Sequence, residues 1–162
     1  MRVLGVDPGL QATGYGSVEQ AQGRLQVLSW GTLRPRGEQL ADRLLALAAL
    51  FAPLLAELHP DLVALEELYS NYQHPRTAIL MGHARGVICA EAARAGVPVT
   101  SYPASEVKRA VAGHGRATKE QVGQMVRARL GPLAPFPDEH GCDALALAVC
   151  HLSRNGCPRG RP

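Results

Sequence analysis

The sequence predicts an α/β fold built on a mixed five-stranded sheet flanked by helices. Three observations predict it. Residues 2–33 hold three short apolar runs separated by turn signals. From residue 38 onward, stretches with apolar residues at helical spacing alternate with two further short apolar runs. The chain has 162 residues, the length of one domain that buries about 70% of its unfolded surface. A three-strand antiparallel meander followed by strand–helix alternation gives an antiparallel half of a sheet joined to two parallel strands.

Each element follows from local chemistry. Strand 1 covers about 2–7 and is broken at once by Pro8-Gly9. Strand 2, Gly14–Glu19, turns at Gln22-Gly23 into strand 3 near Arg24–Leu33. The Pro35-Arg36-Gly37 loop ends the meander. Leu40, Leu44, Leu47, Leu50, Leu54 and Leu58 recur at helical spacing within Glu38–Leu58, and His59-Pro60 stops that helix. Strand 4 is Asp61–Glu66. A long helix, Pro75–Ala95, ends at Gly96, and strand 5 is Val97–Tyr102. Pro103 suits the first turn of a short helix to Ala112, followed by a Gly113-His114-Gly115 loop. Thr118-Lys-Glu-Gln121 has the form of a capping box and opens a helix to Leu130. A Pro-rich loop, Gly131–Pro137, leads to a final helix over Asp138–Arg154. The folded domain is expected to span 1–154, with 155–162 a disordered tail.

Composition narrows the function. Hydrophobic residues make up 46% and aromatics only 4%, so Ala, Val and Leu must build the core. A net charge of +3 allows an anionic partner without demanding one. No two of Cys89, Cys142, Cys150 and Cys157 have C-x-x-C spacing, which argues against a zinc or redox motif; Cys89 and Cys150 are expected as buried thiols. The N-terminus does not read as a signal peptide. The longest apolar run, Leu44–Leu55, is too short to span a bilayer and contains Pro53. The expectation is a cytoplasmic protein with no membrane partner.

Three separated segments deliver metal-type ligands at element ends. Strand 1 ends in Asp7, strand 4 ends in Glu66, and His140-Gly-Cys-Asp143 opens the last helix. That layout fits a site that binds divalent cations and acts on phosphates. Taken singly, each has a plainer reading. Asp7 before Pro-Gly can start a turn, Glu66 can be a solvated strand-end charge, and Asp138, Glu139 and the His140–Asp143 stretch can be charges favoured at a helix N-terminus.

The chain resembles the RuvC Holliday-junction resolvases, a branch of the ribonuclease-H-like nucleases. The likeness rests on Val6-Asp-Pro-Gly9 with Thr13-Gly-Tyr-Gly16, on Leu65-Glu-Glu-Leu-Tyr69, and on Gly82-His-Ala-Arg-Gly86. It continues through Val107-Lys108, Thr118-Lys119-Glu-Gln-Val122 and Asp143-Ala-Leu-Ala146, and spans essentially residues 1–154. It implies a ribonuclease-H-like sheet and a catalytic, metal-binding set of Asp7, Glu66, His140 and Asp143. Many members carry Asp at the position of His140, so an imidazole here departs from the family pattern.

The resemblance implies two Mg²⁺ per subunit, with Mn²⁺ as a substitute that a nitrogen ligand favours. It implies DNA contacts from Tyr69, Arg76, Lys108 and Lys119, with Arg85 as a further candidate. Lys108 and Lys119 are the only two lysines and flank the Gly113–Gly115 loop together with Arg109 and Arg116. It also implies a four-way DNA junction as substrate, a homodimer formed mainly by the Pro75–Ala95 helix, and a role beside the RuvA–RuvB branch-migration machinery. Ile79, Met81, Ala84 and Val87 are expected to divide between core and interface; His83 is expected to be packed. The alternatives are another ribonuclease-H-like nuclease acting on RNA–DNA hybrid or structured RNA, or a non-catalytic junction-binding module. An actin- or sugar-kinase-like ATPase needs a second subdomain that 162 residues cannot supply.

Overall fold

The computed structural model describes residues 1–68, 75–131 and 137–155. Ten elements follow the expected order. They are β1 (Arg2–Asp7), β2 (Thr13–Ala21), β3 (Arg24–Leu33), α1 (Leu40–Leu58), β4 (Leu62–Glu66), α2 (Pro75–Arg94), β5 (Val99–Tyr102), α3 (Ala104–Ala112), α4 (Lys119–Leu130) and α5 (Glu139–Asn155). The sheet runs β3-β2-β1-β4-β5, antiparallel across β3-β2-β1 and parallel across β1-β4-β5.

Element ends are set by local hydrogen bonding. Gln22 and Gly23 both have positive φ, 51° and 76°, as a two-residue hairpin of primed type requires. The helix α1 starts two residues later than expected because Gln39 is its N-cap, with the Gln39 N–H donating to the Asp42 carboxylate at 3.1 Å. β5 starts two residues late for a different reason. The Gly96 and Val97 N–H groups turn back to the Ala93 and Ala92 carbonyls, at 3.0 and 2.9 Å, and close a Schellman motif that consumes the start of the expected strand. Pro103 is the N-cap of α3 rather than a residue of its first turn. Thr118 caps α4 as its sequence predicts: the Gln121 N–H reaches Thr118 Oγ1 and the Thr118 N–H reaches Gln121 Oε1, at 3.3 and 2.9 Å.

Both faces of the sheet are covered. Leu4, Val6, Val63 and Leu65 point to one side and pack with Leu47, Phe51, Leu54 and Leu55 of α1 and Ala84 and Ile88 of α2. Val3, Val18, Leu62 and Ala64 point to the other and pack with Val107, Val122, Val126, Leu145 and Val149. The second layer is unusually thin where α5 crosses β1 and β2. A Cβ on Gly5 would stand 1.9 Å from the Ala144 carbonyl oxygen, and one on Gly14 would stand 2.0 Å from that of His140. Glycine at these strand positions lets the helix backbone rest directly on the sheet.

Candidate active site

β1 and β4 are neighbouring parallel strands, so Asp7 and Glu66, their last residues, emerge at the same edge of the sheet. Ligands in open α/β sheets bind outside that edge. The start of α5 lies over it and adds His140 and Asp143. Together with Lys108 and Lys119, these four side chains line one cleft of about 350 Å³ whose apolar wall includes Met81, Val107 and Leu147. Three segments far apart in sequence thus meet in one place. Leu147 continues the His140–Asp143 face, as the helical spacing predicts, and is buried.

The electrostatics of the cleft are strained in one direction. Burial raises the Asp7 carboxyl above its ordinary range, against the opposing pull of His140. Burial also raises Glu66, and the charges of Asp7 and Asp143 push it further up. Asp143 is raised by burial too, with Lys119 opposing and Asp7 adding to the shift. Three carboxyls share one partly dry cleft. His140 Nδ1 donates to Asp7 Oδ2 at 2.9 Å, and Lys119 Nζ pairs with Glu139 and lies 3.6 Å from Asp143 Oδ2. The hydrogen bond to Glu139 is the main cause that holds the Lys119 ammonium above its usual range.

Asp138 fixes the start of the helix that carries His140 and Asp143. Its Oδ1 accepts the Gly141 N–H at 3.0 Å, and it accepts the Thr32 hydroxyl at 2.7–2.8 Å. Arg34 lies 3.5 Å away. Burial alone would raise the Asp138 carboxyl, but these donors and nearby charges hold it below the usual range. The structure therefore keeps Asp138 as a helix cap, the plainer of its two sequence readings, and ties the cap to the end of β3.

The donor set fits divalent cations by its chemistry. Three carboxylates and an imidazole are ligands such ions accept, and the raised carboxyls are relieved by added positive charge. Among the described residues, no three His, Cys, Asp or Glu side chains stand close enough together to form a finished ligand shell. The charged groups line the cleft instead of converging on one point.

Other sequence expectations fare unevenly. Lys108 and Lys119 face the cleft, while Arg109 lines a separate depression with Glu106 and Arg154, so the basic cluster divides. Arg85 turns inward to the Glu66 carbonyl and to Ser101. His83 is exposed, with Nδ1 donating to the Ile79 carbonyl one turn back at 2.8 Å, and is not packed as expected. His151, which the sequence left without a partner, is buried and hydrogen-bonded to the Tyr102 hydroxyl at 2.6 Å. Cys150 is buried but Cys89 is only partly so. Ser101 and Thr32 hold groups at the edge of the cleft, through Arg85 and Asp138, and no sequence spacing links them to it. Tyr69, Tyr72, His74, Cys157 and the tail from 156 lie outside the described residues, as does the Arg76 side chain.

Comparison with known proteins gives a consistent picture. Residues 3–151 match the family model described as crossover junction endodeoxyribonuclease RuvC. The chain is 47% identical over 155 residues to the protein of that name from Moorella thermoacetica, covering 94% of this chain and 92% of the relative. It superposes on Thermus thermophilus RuvC, solved in complex with a Holliday junction substrate, with a TM-score of 0.86 at 35% identity, covering 96% and 94% of the two chains. The yeast mitochondrial Holliday junction resolvase shares the fold at 13% identity, with a TM-score of 0.67 and coverage of 95% and 80%.

Proposed function

The chain belongs to the RuvC family of crossover junction endodeoxyribonucleases, and on that premise we propose how its residues resolve a four-way DNA junction. The ribonuclease-H-like sheet is its scaffold. Asp7, Glu66, His140 and Asp143 are the catalytic set and hold divalent cations, two Mg²⁺ per subunit, with Mn²⁺ as a substitute. Bound cations supply charge neutralisation at the scissile phosphate and a more acidic water. The observation that carries this reading is that three desolvated carboxyls and one imidazole line one cleft at the C-terminal edge of the central strands, beside the only two lysines.

Each residue then has a task. Asp7 stands at the end of the central strand. Its hydrogen bond occupies Nδ1 of His140, which leaves Nε2 as the nitrogen that can meet a cation. Glu66 and Asp143 line the same cleft, and positive charge favours their ionised forms. Lys108 and Lys119 bind backbone phosphates, so affinity falls as salt rises. Tyr69 stacks on an unpaired base at the junction core, and Arg76 adds a phosphate contact.

A four-way junction has two-fold symmetry and needs two paired nicks, so a homodimer matches one site per chain. The outer face of α2, where Ile79, Gly82, His83, Gly86, Val87 and Ala90 form a shallow, mostly apolar strip, is the candidate interface. Residues 1–154 act as the nuclease domain, in the cytoplasm and beside RuvA–RuvB. Among the described residues, no helix is long and apolar enough to cross a membrane.

The test is cleavage of a synthetic mobile junction against linear duplex and RNA–DNA hybrid, in Mg²⁺ and in Mn²⁺, with Asp7→Asn as control. Paired nicks in opposing strands of the junction alone, leaving 5′-phosphate and 3′-hydroxyl ends and lost in Asp7→Asn, are expected. Cleavage of the hybrid instead moves the chain to another nuclease branch, and tight binding without cleavage makes it a binding module.

A further inference from the structure

We propose that Arg85 is a positioning residue that fixes Glu66 from behind and ties it to α2, with no contact to DNA. The reasoning starts from where the β-ladder stops. The β1–β4 register ends at Val6↔Leu65, so Glu66 lies one residue beyond the last pair on that side. On the other side Glu66 pairs with Tyr102, the final residue of β5. Beyond it the Glu67 N–H still donates to the Tyr102 carbonyl at 2.8 Å, so the ladder holds this end of β4 on one side only, while a cation site needs its donors held within a fraction of an ångström.

Arg85 supplies the missing constraint. From the middle of α2, its guanidinium donates to the Glu66 carbonyl oxygen at 2.6 Å and also to the Ser101 hydroxyl. Ser101 pairs with Leu65 across β4–β5. One planar, permanently charged group therefore bridges the last turn of two strands. Both acceptors are neutral oxygens, one on the backbone of β4 and one on the side chain of β5, so the contact fixes the position of the Glu66 backbone relative to α2. The same helix presents Gly86 and Val87 on its outer strip, the residues directly after Arg85. Any tilt of α2 on its partner is thus felt at Glu66.

This inference rests on Glu66 being a cation ligand. It makes a claim opposite to that of a phosphate-binding Arg85, because a guanidinium engaged inside the fold contributes nothing to the salt dependence of DNA binding.

The test uses the full-length protein and the variants Arg85→Ala, Arg85→Lys, Ser101→Ala and Glu66→Gln. Three quantities are measured: single-turnover junction cleavage, junction affinity at several salt concentrations, and Mn²⁺ binding without DNA by paramagnetic resonance. Arg85→Ala is expected to slow cleavage and weaken Mn²⁺ binding by roughly 10–100-fold, the usual effect of losing a group behind a metal ligand. Junction affinity and its salt slope should stay at wild-type values. Arg85→Lys should recover part of the loss, and Ser101→Ala should show a smaller loss of the same kind. The Arg85→Ala and Ser101→Ala effects should be less than additive, because they remove one shared contact. If Arg85→Ala does not fold, Arg85→Lys and Ser101→Ala carry the same comparison. A wild-type cleavage rate and Mn²⁺ affinity in Arg85→Ala overturn the inference. So does a loss of junction affinity with the salt slope reduced by about one, which marks a phosphate contact. Glu66→Gln separates the two levels: if it cleaves normally, the assignment of Glu66 as a ligand is wrong. If it is inactive while Arg85→Ala is normal, only the positioning role is wrong.

Discussion

Gly14→Ala is the sharpest probe of how the fold builds the site. Gly14 pairs with Asp7 across β1 and β2, and the α5 backbone lies directly on it. The new Cβ would sit 2.0 Å from the His140 carbonyl oxygen and 2.3 Å from its carbon, where ordinary contact begins at 3.4 Å. The obstacle is helix backbone and has no flexible end to swing aside. The start of α5 must therefore retreat by about 1.4 Å, carrying His140 and Asp143 with it while Asp7 stays in the central strand. The 2.9 Å hydrogen bond between His140 and Asp7 would stretch beyond hydrogen-bonding range. Misplacing a catalytic group by about 1 Å costs on the order of 100-fold in rate. Overpacking adds roughly 1–3 kcal/mol of destabilisation, or a melting temperature lower by about 2–12 °C for a domain of this size. Gly123→Ala is the control, because its Cβ would meet only Cys142 Sγ, at 3.6 Å. Single-turnover junction cleavage, junction affinity and thermal melting should be measured together. The expected result is a Gly14→Ala protein that folds and binds the junction but cleaves about 100-fold slower, with Gly123→Ala near wild type. A folded Gly14→Ala protein that cleaves at the wild-type rate refutes the idea that backbone contact sets the ligand geometry.

The remaining predictions follow from charge and burial. Asp7→Asn should abolish cleavage yet raise the melting temperature of the protein in a chelator at neutral pH, since it removes a carboxyl whose pKa burial raises. The sign of the pH effect follows from linkage. A carboxyl raised above its ordinary value of 3.8 contributes stability that is complete below that value and is lost as pH rises through the folded pKa. The melting advantage of Asp7→Asn over wild type should therefore shrink as pH is lowered from neutral toward 4, and measuring the difference cancels the opposing effect of His151, whose imidazole burial holds below its ordinary range. Added Mg²⁺ should reverse the order of the two proteins, which differential scanning fluorimetry can follow. Lys119→Gln should weaken junction binding and lower its salt slope by about one, and it should also impair cleavage, because Lys119 faces Asp143. A loss of cleavage with an unchanged slope would assign Lys119 to the acids alone.

The fold, and the placing of Asp7, Glu66, His140 and Asp143 at element ends, were legible in the sequence because both are written in short-range signals. Pro8-Gly9 marks where β1 stops and so places Asp7 at a sheet edge. The Gln22-Gly23 turn fixes the hairpin, and Thr118 with Gln121 marks the start of α4 to the residue. What stayed hidden depends on contacts between segments distant in the chain. Nothing near Arg85 indicates that its guanidinium meets Glu66, 19 residues earlier. Asp138 reads as a helix charge, yet its tie to Thr32 spans 106 residues. Gly5, Gly14 and Gly16 are visible as residues, but only strand pairing aligns them beneath α5. The late start of β5 was lost for another reason. Gly96 signals a helix stop, whereas a Schellman closure also takes the residue after it.

These long-range contacts explain why so few groups suffice to organise the site. Two of the four proposed ligands ride on α5, so their position relative to Asp7 reduces to the seating of one helix. That seating is fixed underneath by Gly5 and Gly14, at the end by Asp138 and Thr32, and along its length by Leu145, Val149 and Leu152, all fully buried. Glu66 needs its own restraint because β4 and α5 are separate elements, and Arg85 is the group placed to give it. The rigidity also has an electrostatic reason. Carboxylates that repel one another would drift apart on flexible loops. Held at strand ends and on a docked helix they stay in one cleft, where burial and neighbouring carboxylates raise them and Lys119 opposes the shift only in part. The same frame that makes the cation-free protein less stable than it could be therefore makes it receptive to cations, and a substitution that relieves the repulsion should gain stability only by losing catalysis.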